Sequence, residues 1–124
     1  DIEAINAFVH SDIMRRVEKA SAVFREKQFS LLKSICETDS SIPSEFSDEK
    51  TVIFGKIDLL FIEDDGAVIV DYKTDNINKI SVLAERYRTQ MILYIEAFSK
   101  AMGIKVKECI LYSIRLRDSI SLEF

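Results

Sequence analysis

Along the first twenty positions Ile2, Ile5, Phe8, Val9, Ile13 and Val17 recur at the spacing of one helix face. Apolar residues three and four apart line a single stripe of an α-helix, so this stretch predicts an amphipathic helical region running to Ala20. Ser11 is placed to cap a second segment, because a serine oxygen accepts from the free amides of a helix's first turn. The pattern predicts one bent helix or two. From Ala22 to Leu32 the run AVFREKQFSLL sets aromatic and β-branched residues among polar ones, as in an edge or half-exposed strand. Cys36 to Lys50, with Pro43, several serines and five acids, predicts a loop and the least ordered part of the chain.

Thr51 to Ile62 and Ala67 to Tyr72 are β-rich, and Asp65-Gly66 between them offers the positive φ angles of a tight hairpin turn. The unbroken run Val68, Ile69, Val70 predicts a central strand covered on both faces. Polar residues at its end therefore stand out. After a break at Asn76 to Asn78, Leu83, Tyr87, Met91, Tyr94, Ile95, Phe98 and Met102 repeat at helical spacing up to Gly103, the expected C-cap. Val106 to Ile114 and Ile120 to Phe124 predict closing strands around a turn at Arg117-Asp118-Ser119. There are no internal repeats and no low-complexity tracts.

Strand geometry gives the polar residues a meaning. Residues two apart share a strand face, so Asp71 and Lys73 point together while Val70 and Tyr72 point away. With a two-residue Asp65-Gly66 loop, Asp58 pairs with Lys73 and Leu60 with Asp71, leaving Asp58 diagonal to Asp71. Any even-length loop keeps the three on one face, whereas a bulge or an odd loop shifts the register. Two carboxylates can hold Mg²⁺ or Mn²⁺ by oxygen, leaving positions for water and a phosphate oxygen. A nearby ammonium can orient that water or share the charge that builds on phosphorus. On its own, an Asp and a Lys on one strand are equally an exposed pair worth under about 1 kcal/mol.

Composition narrows the classes. At 124 residues, with 48% hydrophobic and 31% charged positions, three Gly and one Pro, the chain suits one soluble globular domain. No apolar run approaches the roughly 20 residues of a membrane span, and no secretion signal is visible, so a cytoplasmic protein without membrane contact is expected. Cys36 and Cys109 lie far apart without a CxxC partner, suggesting two reduced thiols, no zinc site and no iron-sulfur cluster in this segment. The net charge of −4 argues against holding nucleic acid by bulk electrostatics. Acid is concentrated from residue 36 to 75 and base after residue 76, an arrangement compatible with a metal-assisted phosphodiesterase or with solvated surface charge.

GKID at Gly55 to Asp58, VDYKT at Val70 to Thr74 and a helix carrying YRTQMILY together resemble the PD-(D/E)xK nuclease domain of the RecB type. The resemblance is greatest to the C-terminal nuclease domain of AddA-like helicase-nucleases. FREKQF at Phe24 to Phe29 is similar to that family's REvPF strand, so the likeness covers nearly the whole chain. It implies a restriction-endonuclease-like α/β (α+β) fold with a central mixed sheet flanked by helices. It also implies Mg²⁺-dependent cleavage of DNA, with Mn²⁺ as a substitute, attachment to a superfamily 1 helicase motor and an AddB-like partner subunit. By the same resemblance Asp58 and Asp71 would be metal ligands and Lys73 the catalytic lysine. Gln90 and Tyr94 match a QxxxY motif, four apart on one helix face, that contacts the site or the DNA; Tyr94 is equally a core residue with a hydroxyl tip. Glu26 would support the metal or the lysine, or else pair with Arg25 or Lys27 on the strand surface. Gly55 would allow close backbone approach or mark a bulge. Thr74 and Asp75 are given supporting or turn-forming roles, and Arg86 and Arg88 either meet phosphates or solvate the helix.

One departure from the family pattern concerns histidine. RecB-type nucleases carry a metal-binding His on a helix well before the first strand, whereas His10 stands immediately before the REvPF-like segment. His10 is read as a helix-junction residue, and the family's histidine is expected upstream of Asp1. With no initiator Met and a helical pattern from the outset, residues 1–124 are expected to be one nuclease domain, lacking its N-terminal part, from a larger helicase-nuclease. Weak or absent activity is expected of the isolated segment. Two alternatives remain at this level: a catalytically silent scaffold that guides DNA or docks another protein chain, and a standalone RecB-like exonuclease.

Overall fold

A computed structural model describes residues 2–124. Two short helices, α1 (Ile2–Val9) and α2 (Asp12–Lys19), precede a long strand β1 (Ala22–Ser34). They are separate helices. Ser11 caps the second, accepting from the Met14 amide at 3.4 Å. The segment expected to be loop contains one turn of helix, α3 (Ile35–Thr38), and a 3₁₀ turn at Ser44–Phe46. Ser34 caps α3 through the Cys36 amide, a local bond that the loop-like composition of the segment conceals. Strands β2 (Lys50–Glu63) and β3 (Gly66–Lys73) form the hairpin, α4 (Ser81–Met102) crosses over, and β4 (Val106–Ser113) and β5 (Asp118–Ser121) close the sheet. Gly103 ends α4 in the left-handed conformation at φ 66°, its N–H bonded to Ser99 O.

The sheet runs β1-β2-β3-β4-β5, with β3 and β4 parallel and the other neighbours antiparallel. This is the mixed, helix-flanked sheet expected. Val68, Ile69 and Val70 are fully buried in the central strand. Ile69 packs with Leu60 and Leu111 under Leu83, Met91 and Phe98 of α4. Val68 and Val70 pack on the opposite face with Leu59, Phe61 and Ile110 under Ile13 and Val17 of α2. Apolar burial on both faces of β3 fixes its register, since a one-residue slip would exchange the two cores.

Two turns differ from the expected ones. Glu63 pairs with Gly66, so the hairpin turns at Asp64-Asp65 rather than Asp65-Gly66. Gly66 instead begins β3 at φ 150°, where a Cβ would lie 3.0 Å from Lys105 O; the glycine serves a close backbone approach. The last turn spans Ile114 to Arg117, and β5 begins at Asp118, because Ser113 pairs with Asp118 and Arg117 takes the positive φ of 53°.

Candidate active site

The hairpin register determines where the carboxylates meet. Leu60 pairs with Ile69 and Leu59 with Val70, so the expected pairings of Asp58 with Lys73 and Leu60 with Asp71 do not occur. Placing the same two-residue turn one position earlier, at Asp64-Asp65, moves the register by two residues, which preserves the facing of β3. The ladder stops at Leu59. Beyond it the Tyr72 N–H donates to Asp58 Oδ2 at 2.9 Å, a side-chain oxygen taking the place of a strand carbonyl.

Asp58 also sits at a change of phase in its own strand. Ile57 and Leu60 both face α4 while Leu59 and Phe61 face α2, so regular alternation breaks between them. On β1, Val23 faces α2 but Phe29 faces α4, and the break falls at Glu26, whose φ is 53°. Arg25 pairs with Leu59 and Lys27 with Ile57, which leaves Glu26 and Asp58 as the facing residues outside the ladder. Both strands change phase together, and no residue is inserted.

Asp71 and Lys73 lie on the α4 face, continuing the row of Ile69. Lys73 Nζ donates to Asp71 Oδ2 at 2.6 Å, with side-chain exposures of 15% and 12%. Burial pushes the Asp71 carboxyl up to about 6; the Lys73 ammonium opposes the shift and the Asp58 carboxylate adds to it. The three polar residues singled out from the sequence therefore converge at the end of β3. Asp58 and Asp71 offer hard oxygen donors suited to a divalent cation that keeps several waters. Among the described residues no group of three His, Cys, Asp or Glu side chains is placed to hold a metal ion. A cation held here would draw its remaining ligands from water and substrate.

The other candidates are distributed more widely. Glu26 is exposed, and its counter-charge is Lys56 at 3.8 Å rather than Arg25 or Lys27. Gly55 lies under the Phe29 ring, where a Cβ would come within 2.2 Å of Phe29 Cζ, so close approach and not a bulge explains it. Gln90 Nε2 is 3.4 Å from Tyr94 Oη, and Tyr94 meets Phe29 edge to face at 5.2 Å between centroids. Among the described residues neither Gln90 nor Tyr94 bonds to Asp58, Asp71 or Lys73. Tyr94 lines a cleft with Phe29, Phe54, Gly55 and Lys56. Arg86 donates to Asp75 at 2.6 Å and Arg88 donates to the Glu123 carbonyl, so both arginines have protein partners. His10 bonds through Nδ1 to Asn6 O at 2.8 Å at the α1/α2 junction. Cys36 and Cys109 are free thiols, and burial pushes Cys109 up to about 12.

Sequence reasoning misses Tyr87, which apolar spacing assigns only to the helix stripe. Its ring lies over the Lys73 ammonium at 3.8 Å from Nζ to centroid. The available signal is positional: Tyr87, Gln90 and Tyr94 fall at i, i+3 and i+7 of α4, a polar-tipped row beside the apolar one.

Comparison with known proteins shows the family. The PD-(D/E)XK nuclease superfamily matches residues 3–119. The chain is 35% identical to an ATP-dependent helicase/nuclease subunit of Clostridium acetobutylicum over 99% of its own length and 10% of that protein's. The corresponding protein of Alkaliphilus oremlandii is 34% identical over 98% of the chain and 10% of its own length. That of a Thermoanaerobacter species is 35% identical over 90% and 9%. The chain thus spans about a tenth of the length of these relatives. With a match over nearly its full length and the acidic and lysine side chains gathered at one strand end, the chain belongs to the PD-(D/E)XK nuclease superfamily.

Proposed function

We propose that residues 1–124 are the DNA-cleaving domain of a longer ATP-dependent helicase-nuclease that processes double-strand break ends in recombinational repair. The observation that carries this reading is the approach of Lys73 Nζ to Asp71 at 2.6 Å with the Asp58 carboxylate beside them. Asp58 and Asp71 are the metal ligands in this reading, for Mg²⁺ with Mn²⁺ as substitute. Such a cation supplies charge offset at the phosphate and lowers the pKa of the attacking water. Lys73 directs its ammonium toward that water or the phosphate oxygen, in a pocket where little bulk water weakens it. The Tyr72 N–H on Asp58 and the Lys73 ammonium on Asp71 orient the two carboxylates at the strand end.

Gln90 and Tyr94 would guide the DNA strand along the α4 side, while Glu26 acts at a distance through the phase change opposite Asp58. The motor belongs to the rest of the protein, which works with an AddB-like partner subunit on single-stranded DNA ends in the cytoplasm. The name that the relatives carry, ATP-dependent helicase/nuclease, supports that assignment. A silent scaffold is disfavoured because a desolvated carboxylate beside a second one costs stability and has no structural need to persist.

The test is mutational. In the full-length protein, Asp71→Ala and Lys73→Ala abolish Mg²⁺-dependent DNA degradation and leave ATP hydrolysis intact. Cleavage surviving in both variants would show that the site is elsewhere.

A further inference from the structure

The ring of Tyr87 closes the side of the site that faces α4. Its centroid lies 3.8 Å from Lys73 Nζ, inside the roughly 6 Å reach of a cation–π attraction. The ammonium is held between two groups, the Asp71 carboxylate at 2.6 Å and this ring face. With 15% of its side chain exposed, Lys73 has given up most of its water, and the attraction of the ring is stronger than at an open surface. The ring is itself fixed. The Tyr87 hydroxyl lies 3.0 and 2.8 Å from the two Asp75 oxygens and donates to that carboxylate, which also accepts from Arg86 at 2.6 Å. Asp75 keeps 14% of its side chain exposed. The exit of β3 and the second turn of α4 are thereby joined through the side chains that surround the lysine.

We propose that Tyr87 is a positioning residue of the cleavage reaction: its ring face holds the Lys73 ammonium at the site, and Asp75 with Arg86 fixes the ring. The inference rests on the reading above that Lys73 is catalytic. With a divalent cation held at the site, Asp71 would have less charge to offer Lys73, and a further carboxylate placed to hold the ammonium would compete for the cation. An aromatic face attracts an ammonium yet offers no oxygen to a hard metal. Without the ring, the four-carbon lysine stem is free to swing its strongly hydrated head into water.

The experiment uses the full-length protein with Mg²⁺ and end-labelled single-stranded DNA, and compares Tyr87→Leu, Tyr87→Phe and Lys73→Ala. Leucine keeps an apolar side chain against the sheet but removes the π face. Tyr87→Leu is expected to lower kcat by about 10- to 30-fold with KM held within about twofold, the size of a desolvated cation–π contact. Tyr87→Phe keeps the face and loses only the bond to Asp75, so kcat falls by about threefold. A second readout needs no activity: acylation of Lys73 in the metal-free protein, followed by mass spectrometry, accelerates in Tyr87→Leu relative to other lysines and changes little in Tyr87→Phe. Resistance of residues 1–124 to limited proteolysis within the full-length protein reports intact folding of the domain, and Tyr87→Met replaces Tyr87→Leu if that resistance is lost, with the same expected results. Should Lys73→Ala still cleave DNA, the catalytic reading fails first. Should Lys73→Ala be inactive while the ring-less variant matches wild type in kcat and in Lys73 acylation, the positioning role is overturned.

Discussion

Loss of water holds the Asp71 carboxyl at about 6, above its ordinary 3.8, despite the Lys73 ammonium at 2.6 Å; Asp58 adds like charge. A raised carboxyl pKa means that between about pH 4 and 6 the native state keeps a proton which the unfolded chain releases. Stability from this group therefore declines as pH rises through that window, and the full penalty is present above it. In chelator-treated protein, Asp71→Asn removes this slope and raises the unfolding free energy at pH 7.5 by about 1–3 kcal/mol. Denaturant titrations at pH 4, 5, 6 and 7.5 check it, and an unchanged slope in the variant would place the desolvation elsewhere. Asp58, Asp71 and Lys73 are legible in the sequence because strand periodicity and residue chemistry point to the same positions. Tyr87 is not, since its partner lies across a helix–sheet interface that periodicity assigns to packing alone. Asp75 looks like a turn former, yet it anchors two residues of α4.

At the scale of elements, strand and helix existence follows from apolar spacing, whereas turns and register do not. Asp65-Gly66 is a strong hairpin signal, but Gly66 is needed where β3 passes Lys105, and the two aspartates before it make the turn. The paired phase change in β1 and β2 has no compositional signature, because Glu26 and Asp58 look like ordinary strand-surface residues. Glu26 bears the conformational cost, with a φ that L-residues avoid and only an exposed pairing at 3.8 Å in return. Glu26→Gly is expected to stabilise the protein by about 1 kcal/mol, as glycine adopts that φ without a Cβ clash. A rise in the denaturation midpoint checks this; a fall would mean that the Lys56 pairing holds the phase change in place.

The whole molecule is closed at the end remote from the site by an ion network. Arg16 of α2 bonds Glu63 at 2.7 Å and Glu108 at 2.8 Å, and Lys107 reaches Glu63 at 2.8 Å as well as Asp65. These bonds join α2, the β2-β3 turn and β4. Arg16 first and Lys107 second hold the Glu63 carboxyl down to about 2. A lowered carboxyl pKa contributes stability that is complete above about 4.5 and is lost as pH falls toward 2. Arg16→Ala should cost about 1–2 kcal/mol at pH 7 and much less near pH 2, measured by thermal unfolding across that range. Equal losses at both pH values would point to packing against Phe61 instead, over which the guanidinium lies at 5.5 Å. None of this network can be read from charge counts, since its members are brought together only by the fold. At the opposite end, Asp58 completes the sheet as well as the site, for its oxygen satisfies the Tyr72 amide. Alanine scanning at position 58 would leave that amide without its acceptor, so a loss of cleavage in Asp58→Ala would not separate a frayed strand from the loss of the proposed ligand. Asp58→Asn keeps an acceptor oxygen while removing the charge, and it is the substitution that isolates chemistry from architecture.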